Sequence, residues 1–282
     1  MNVQPTATPI LNNDQTNGLI QTWLINGWKD FQASPVISLG YGVGFVLFCW
    51  GLVIGLSVGG YAWMLLPALS GIMLVSPLVA VGLYQKSRQQ DSDIPTKIEA
   101  PGQIIMVGII MMVLFMMWIR AATILFALFY GLKPFPGFLD LLQTLFLTQS
   151  GLALIIVGTL VGGVFAAFTF AITVFSLPML VARPVDAFTA MGKSFSASTH
   201  NFWLIVRWAT VITVLTLIGF MSGMLLMIVI FPVLAYASWH AYSDVFVKFA
   251  PPVDDPTMDP ARDPARDRAR DRASENKKIG HA

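Results

Sequence analysis

The chain has 282 residues, of which 56% are hydrophobic and 11% charged, with a formal net charge of +2. Soluble domains carry about 25% charged residues, so a water-soluble globule is excluded, and so is a disordered or fibrous chain. A net charge this small provides no electrostatic footprint for nucleic acid, which is excluded as a partner.

Charge is distributed in a way that identifies the solvent. Residues 31–85, 141–182 and 208–243 contain no Asp, Glu, Lys or Arg, and residues 100–132 contain only Arg120. A bilayer core requires about 20 apolar residues per helix. These windows therefore predict an all-α polytopic membrane bundle of about six transmembrane helices, supplemented by amphipathic interfacial helices. Residues 1–18 read as a flexible N-terminus without the basic and apolar regions of a cleavable signal. Within 19–34, Ile20, Trp23, Leu24, Trp28 and Phe31 recur at helical spacing, while Lys29, Asp30 and Gln32 fall elsewhere. This predicts an amphipathic helix with two tryptophan anchors, lying in the interface or docked on the bundle. Ser34-Pro35 opens a first span over about 37–58, and Gly59-Gly60 with Tyr61 and Trp63 marks a turn at the far interface. A second span covers about 63–84 and a polar loop 85–100.

The third span, about 102–130, is long enough to tilt or project. Residues 131–150 read as a Pro/Gly turn followed by a short interfacial piece, and the fourth span covers about 151–180. Within 181–201, Val185, Phe188, Met191 and Phe195 predict a second surface helix. The fifth and sixth spans, about 202–219 and 223–243, meet in a minimal turn. The domain division is thus 1–18, a membrane domain over 19–248, and a tail over 249–282. From residue 251 the tail holds seven basic and seven acidic residues and no aromatic one, which predicts disorder or a transient helix. Lys29, Lys86, Arg88, Lys97, Arg183, Lys193 and Lys248 fall on one side of this topology and only Lys133 on the other. Both termini are therefore expected in the cytoplasm. Pro77, Pro178 and Pro232 each lie near the cytoplasmic exit of a span, a pattern consistent with three repeated hairpins or with the ordinary frequency of proline in membrane helices.

Few residues carry chemistry. Arg120 is the sharpest feature, since an intramembrane Arg costs about 2.5–3.5 kcal/mol to insert and usually faces the bundle or a cavity. With Ser76 it forms a candidate polar site, read either as an anion or substrate site or as a structural pairing; no Asp or Glu in the spans can neutralise it. His240 and Asp244, at i and i+4, form a candidate pair at the cytoplasmic end of the last span, with Asp244 placed to orient His240. Gly51, Gly55 and Gly59, and again Gly158 and Gly162, form small-residue seams read as helix packing within the chain or between protomers. Arg207 is read as snorkelling to the surface. Five methionines in the third span are read as packing rather than thioether copper ligands. One cysteine and three histidines exclude a disulfide framework and a multi-haem core. No catalytic motif is found, no metal or other cofactor is implied, and the only assured partner is the lipid bilayer.

The segments GWKDFQASPVISLGYGV, SPLVAVGLYQKSRQ, FSLPMLVARPVDAFTAM and FPVLAYASWHAYSDV resemble the bacterial integral membrane family of unknown function DUF2189, over about residues 20–248. The resemblance implies an inner-membrane protein of some six spans. Some family members have been labelled as cytochrome c oxidase subunits, but three histidines argue against a catalytic oxidase role here. The family brings no established activity, so no residue role is carried over. The expectation is a non-catalytic membrane protein acting through helix packing, assembly, or lipid and protein contacts. The rival is a small-solute or anion transporter whose pathway includes Arg120.

Overall fold

The computed structural model describes residues 18–91, 97–131 and 138–248, which form eleven α-helices and no strand. The expectations for the N-terminus, for the Asp/Arg-rich tail, for the middle of the 85–100 loop and for Lys133 lie outside the described residues.

Proline sets the first helix boundary. Helix α1 (Leu19–Ala33) ends because Pro35 crowds the residue before it out of helical geometry, and Ser34 takes φ −139°. Pro35 then starts α2 (Pro35–Val58) at a position where a missing N–H costs nothing. The same device, Ala100 at φ −132° before Pro101, opens α5 (Pro101–Tyr130). Between them lie α3 (Leu65–Val79) and α4 (Val81–Asp91). Pro77 inside α3 leaves the Met73 carbonyl without its backbone donor, and the Ser76 hydroxyl donates to it at 2.9 Å. A short α6 (Phe138–Leu147) leads to α7 (Gln149–Thr173), capped by Thr148. Helix α8 (Ser176–Ala182) is wholly buried except at its end. Asp186 caps α9 (Ala187–His200) by accepting from Thr189 N at 2.8 Å. The chain closes with α10 (Phe202–Met221), α11 (Met227–Ser243) and a π-helical turn, Asp244–Lys248.

Among the described residues, five segments are long and apolar enough to cross a membrane: Pro35–Val58, Leu65–Asp91, Pro101–Tyr130, Gln149–Ala182 and Phe202–Met221. The expected sixth span is the 17-residue α11, which falls short of them in length and is the most enclosed long helix of the fold. It runs antiparallel to α2, where Ser38 meets Tyr236 and Gly42 meets Ile228, and it packs against α1, where Trp23 meets Asp244 and Gly27 meets Ala237. The Ile228 carbonyl is the one Pro232 leaves without a backbone donor, and only a glycine at position 42 lets α2 lie against it.

The first helix is docked rather than interfacial. Leu19, Trp23, Gly27, Asp30 and Phe31 share a buried face against α11. Of the two expected tryptophan anchors, Trp28 is exposed, but Trp23 is fully buried and edge-on to Trp208 at 5.5 Å. Asp30, expected on the polar side, lies inside because residues 23 and 30, seven apart, share a helix face. The three prolines of the suspected repeat sit in different settings. Pro77 precedes a helix break, Pro178 follows one, and Pro232 lies inside an unbroken helix.

Candidate functional site

The most organised chemistry in the fold is a buried polar junction joining α1, α2, α4 and α11. Asp30 is its centre. His240 Nε2 lies 2.9 Å from Asp30 Oδ2, and the fully buried Ser87 hydroxyl donates to the same oxygen. The His240 and Asp30 side chains are only 13% and 12% exposed. A carboxylate only accepts, so His240 donates from Nε2. Beside this group, Ser38 donates to Ser34 O at 2.8 Å. The Tyr236 hydroxyl, 2.9 Å from Ser38 Oγ, is therefore the donor in their shared bond. Gln90 Nε2 donates to Ser34 Oγ at 3.0 Å, while Trp239 Nε1 donates to Asp91 Oδ2 and Trp23 Nε1 to Asp244 Oδ2, both at 2.8 Å. Asp30 and Ser34 come from the chain's start, Ser87 and Gln90 from α4, and His240 from its end.

A second ring of bonds surrounds the junction. Arg88 donates to the carbonyls of Val181 at 2.7 Å and Lys97 at 2.9 Å, and pairs with Glu99 at 3.3 Å. Arg183 reaches the Phe246 carbonyl at 3.1 Å, and Gln103 Oε1 accepts from Ala187 N at 3.0 Å. These bonds fasten α8 and α9 to the same end of the bundle. Charge-assisted bonds from arginine to buried carbonyls are among the stronger polar contacts available to a fold.

The junction contains Ser, His and Asp, but not in nucleophilic order. Acyl-transfer triads place His between Ser and Asp, so that the imidazole removes the hydroxyl proton. Here Asp30 lies between Ser87 and His240, and Ser87 has no surface on which to meet a substrate. Among the described residues, no three His, Cys, Asp or Glu side chains converge as metal ligands do. What the arrangement does is hold four helices in one register.

The expected site residues fall in other places. Arg120 is exposed on the outward side of α5, beside an open depression of about 520 Å³ between α5 and α7, rather than in the bundle interior. No hydrogen bond or ion pair joins it to Ser76, whose hydroxyl serves its own helix. His240 turns to Asp30 and Asp244 takes Trp23, so the helical i,i+4 pairing gives way to two contacts across the fold. Of the glycine seams, Gly162 receives the Trp118 ring and Gly59 packs only on its own turn. Gly51, Gly55 and Gly158 face open space. Gly51 and Gly55 lie on the outward side of α2, whose other side packs Cys49 and Val53 on the core. Gly27, where an added Cβ would come within 2.7 Å of Val233 O, and Gly42 make the close helix contacts instead.

These features define an all-helical, polytopic integral membrane protein. Residues 65–182 match the family model DUF2189, described as a predicted integral membrane protein. That stretch runs from α3 through α8; α1, α2, α9, α10 and α11 lie outside it. No curated protein and no solved structure matches the chain.

Proposed function

We propose that this protein is a non-catalytic scaffold of the bacterial inner membrane. Its polar end lies in the cytoplasm, and its spans serve as contact surfaces for lipid and for other membrane proteins. The observation that carries this reading is the placement of Arg120. Facing outward, it contributes to a surface rather than to a passage between the helices. Exposure of the spans supports the same reading: in the most apolar windows of Pro101–Tyr130 and Gln149–Ala182 only 17% and 11% of the residues are buried inside the fold. Lys29, Arg88, Arg183 and Lys193 belong to the junction end, which fits a cytoplasmic position.

The test places a photo-crosslinking residue at Ile109 or Leu128, both outward on α5, in native membranes. Discrete protein adducts at one position that are absent at the other support a scaffold with a defined contact face. Flux of a solute into proteoliposomes that Arg120→Leu abolishes would replace this reading with transport.

A further inference from the structure

Arg120 combines three properties. It is the only charged residue between 100 and 132. It is exposed on α5, and no described residue forms a hydrogen bond or ion pair with it. It borders a depression whose other walls, among them Met112, Val113, Met116, Met117, Ile124 and Phe165, are apolar. A guanidinium in an apolar setting is costly unless an anion meets it, and here that anion must come from outside the described chain. A second copy offers no carboxylate from its spans, because 31–85, 141–182 and 208–243 contain neither Asp nor Glu.

The position along α5 indicates what the anion is. Trp63, just after the α2–α3 turn, stacks on Phe126 at 5.4 Å, and Trp118 Nε1 donates to the Pro67 carbonyl at 2.9 Å. Aromatic rings at helix turns mark the headgroup level. Phe126 is six residues beyond Arg120, about 9 Å along the helix, and a long cationic side chain extends toward the headgroups. The depression reaches Ala121 and Ile124 on that side and extends farther the other way, past Met117 and Met116 to Val113 and Met112. Unbranched methionines adapt to irregular apolar partners.

We propose that Arg120 and this depression bind one membrane phospholipid. The phosphate is held by the guanidinium and one acyl chain lies along the methionine-lined wall. Guanidinium matches phosphate with paired hydrogen bonds, and the apolar wall suits an acyl chain. The inference rests on the scaffold reading only in taking the outward face of α5 as lipid-facing.

The experiment is native mass spectrometry of the full chain in detergent, delipidated and then titrated with phosphatidylglycerol. Wild type is expected to take up one lipid at low concentration. Arg120→Gln should weaken that uptake about tenfold or more, as expected for loss of a charge-assisted pair. Arg120→Lys should retain part of it. Val113→Trp, which fills the depression and leaves the charge, should also weaken it. If Arg120→Gln does not accumulate, the Lys and Val113→Trp variants carry the comparison. Diacylglycerol, which lacks phosphate, should bind poorly, and inorganic phosphate should not compete. Equal uptake by wild type and Arg120→Gln or Val113→Trp overturns the proposal. So does equal binding of diacylglycerol, and competition by inorganic phosphate would indicate a simple anion site instead. Solute flux in proteoliposomes bears on the scaffold reading alone, so the two can fail separately.

Discussion

The junction end and the far ends of α2, α5 and α7 are built by opposite rules. At the junction, Trp23, Leu83, Phe175, Leu177, Leu180, Trp208 and Tyr236 are completely enclosed, and Asp30, Ser38, Ser87 and His240 find partners on other helices, whereas the buried Trp208 Nε1 and Tyr242 hydroxyl have none among the described residues. Toward the far ends, Ile54, Leu128, Ile156 and Leu160 face outward, and Gly51, Gly55 and Gly158 touch nothing. Lipid solvates an apolar side chain as well as another helix does, so the spans gain little from burial against each other. Polar groups in a low-dielectric interior lose much when unpaired, so they organise the one region where helices enclose each other. In this fold, hydrogen-bonded side chains specify the arrangement, and apolar surface specifies only the solvent.

This contrast can be broken most severely at Asp30. Asp30→Ala removes the acceptor of both Ser87 and His240, and loss of one partner from a buried pair costs about 3–5 kcal/mol. Thermal unfolding in detergent should show a large drop in Tm, with Asp30→Asn intermediate. Trp23→Ala should follow, at about 3–5 kcal/mol for a buried Trp in a well-packed site, with the indole bond to Asp244 lost as well. A Trp23→Phe variant separates the two contributions. Next comes a glycine comparison. A methyl group at Gly42 overlaps the Ile228 carbonyl, so Gly42→Ala is expected to cost about 1–3 kcal/mol as overpacking, whereas Gly55→Ala in open space should stay within about 0.5 kcal/mol of wild type. Equal costs at 42 and 55 would mean that the far part of α2 is packed after all.

The smallest effect concerns pH. Hydrogen bonds from Thr189, side chain first and then backbone, hold the Asp186 carboxyl below its ordinary value. A carboxyl depressed on folding stabilises above its unfolded pKa and loses that contribution as pH falls through the folded one. Protection factors for amide exchange in the first turn of α9, which are corrected for the intrinsic slowing of exchange in acid, should therefore fall below about pH 4, and Asp186→Asn should remove that dependence. The side chain is exposed, so global stability should hardly move.

Much of the architecture was legible because membrane solvent leaves a simple record. Charge-free windows located the spans, and Pro35 marked a helix start where local sterics demand it. Helix α11 lies where the sixth span is expected over about 223–243, and at 17 residues it is shorter than the other five. Pairing His240 with Asp244 followed from helical spacing, the nearest periodicity available; the contact to Asp30 spans 210 residues and leaves no such trace. One signal was present: Trp23, Gly27 and Asp30 lie on a single face, so a carboxylate on that apolar stripe required a buried donor. Arg120 was recognised as unusual, but its direction depends on helix rotation about an almost uniformly apolar surface, which hydropathy cannot phase.

The contact of α1 with α11 and the turn that follows it joins nearly the first described residues to nearly the last. During synthesis, α1 leaves the ribosome well before its partner exists, and it carries a carboxylate on the face that will later be enclosed. Until α11 arrives, that face lacks the His240 donor and its apolar cover, and the junction stays open. Closure of this end of the fold therefore waits for α11. A chain cut short after α10 would display an unfinished surface to the quality-control machinery of the cell, and a full-length chain would hide it.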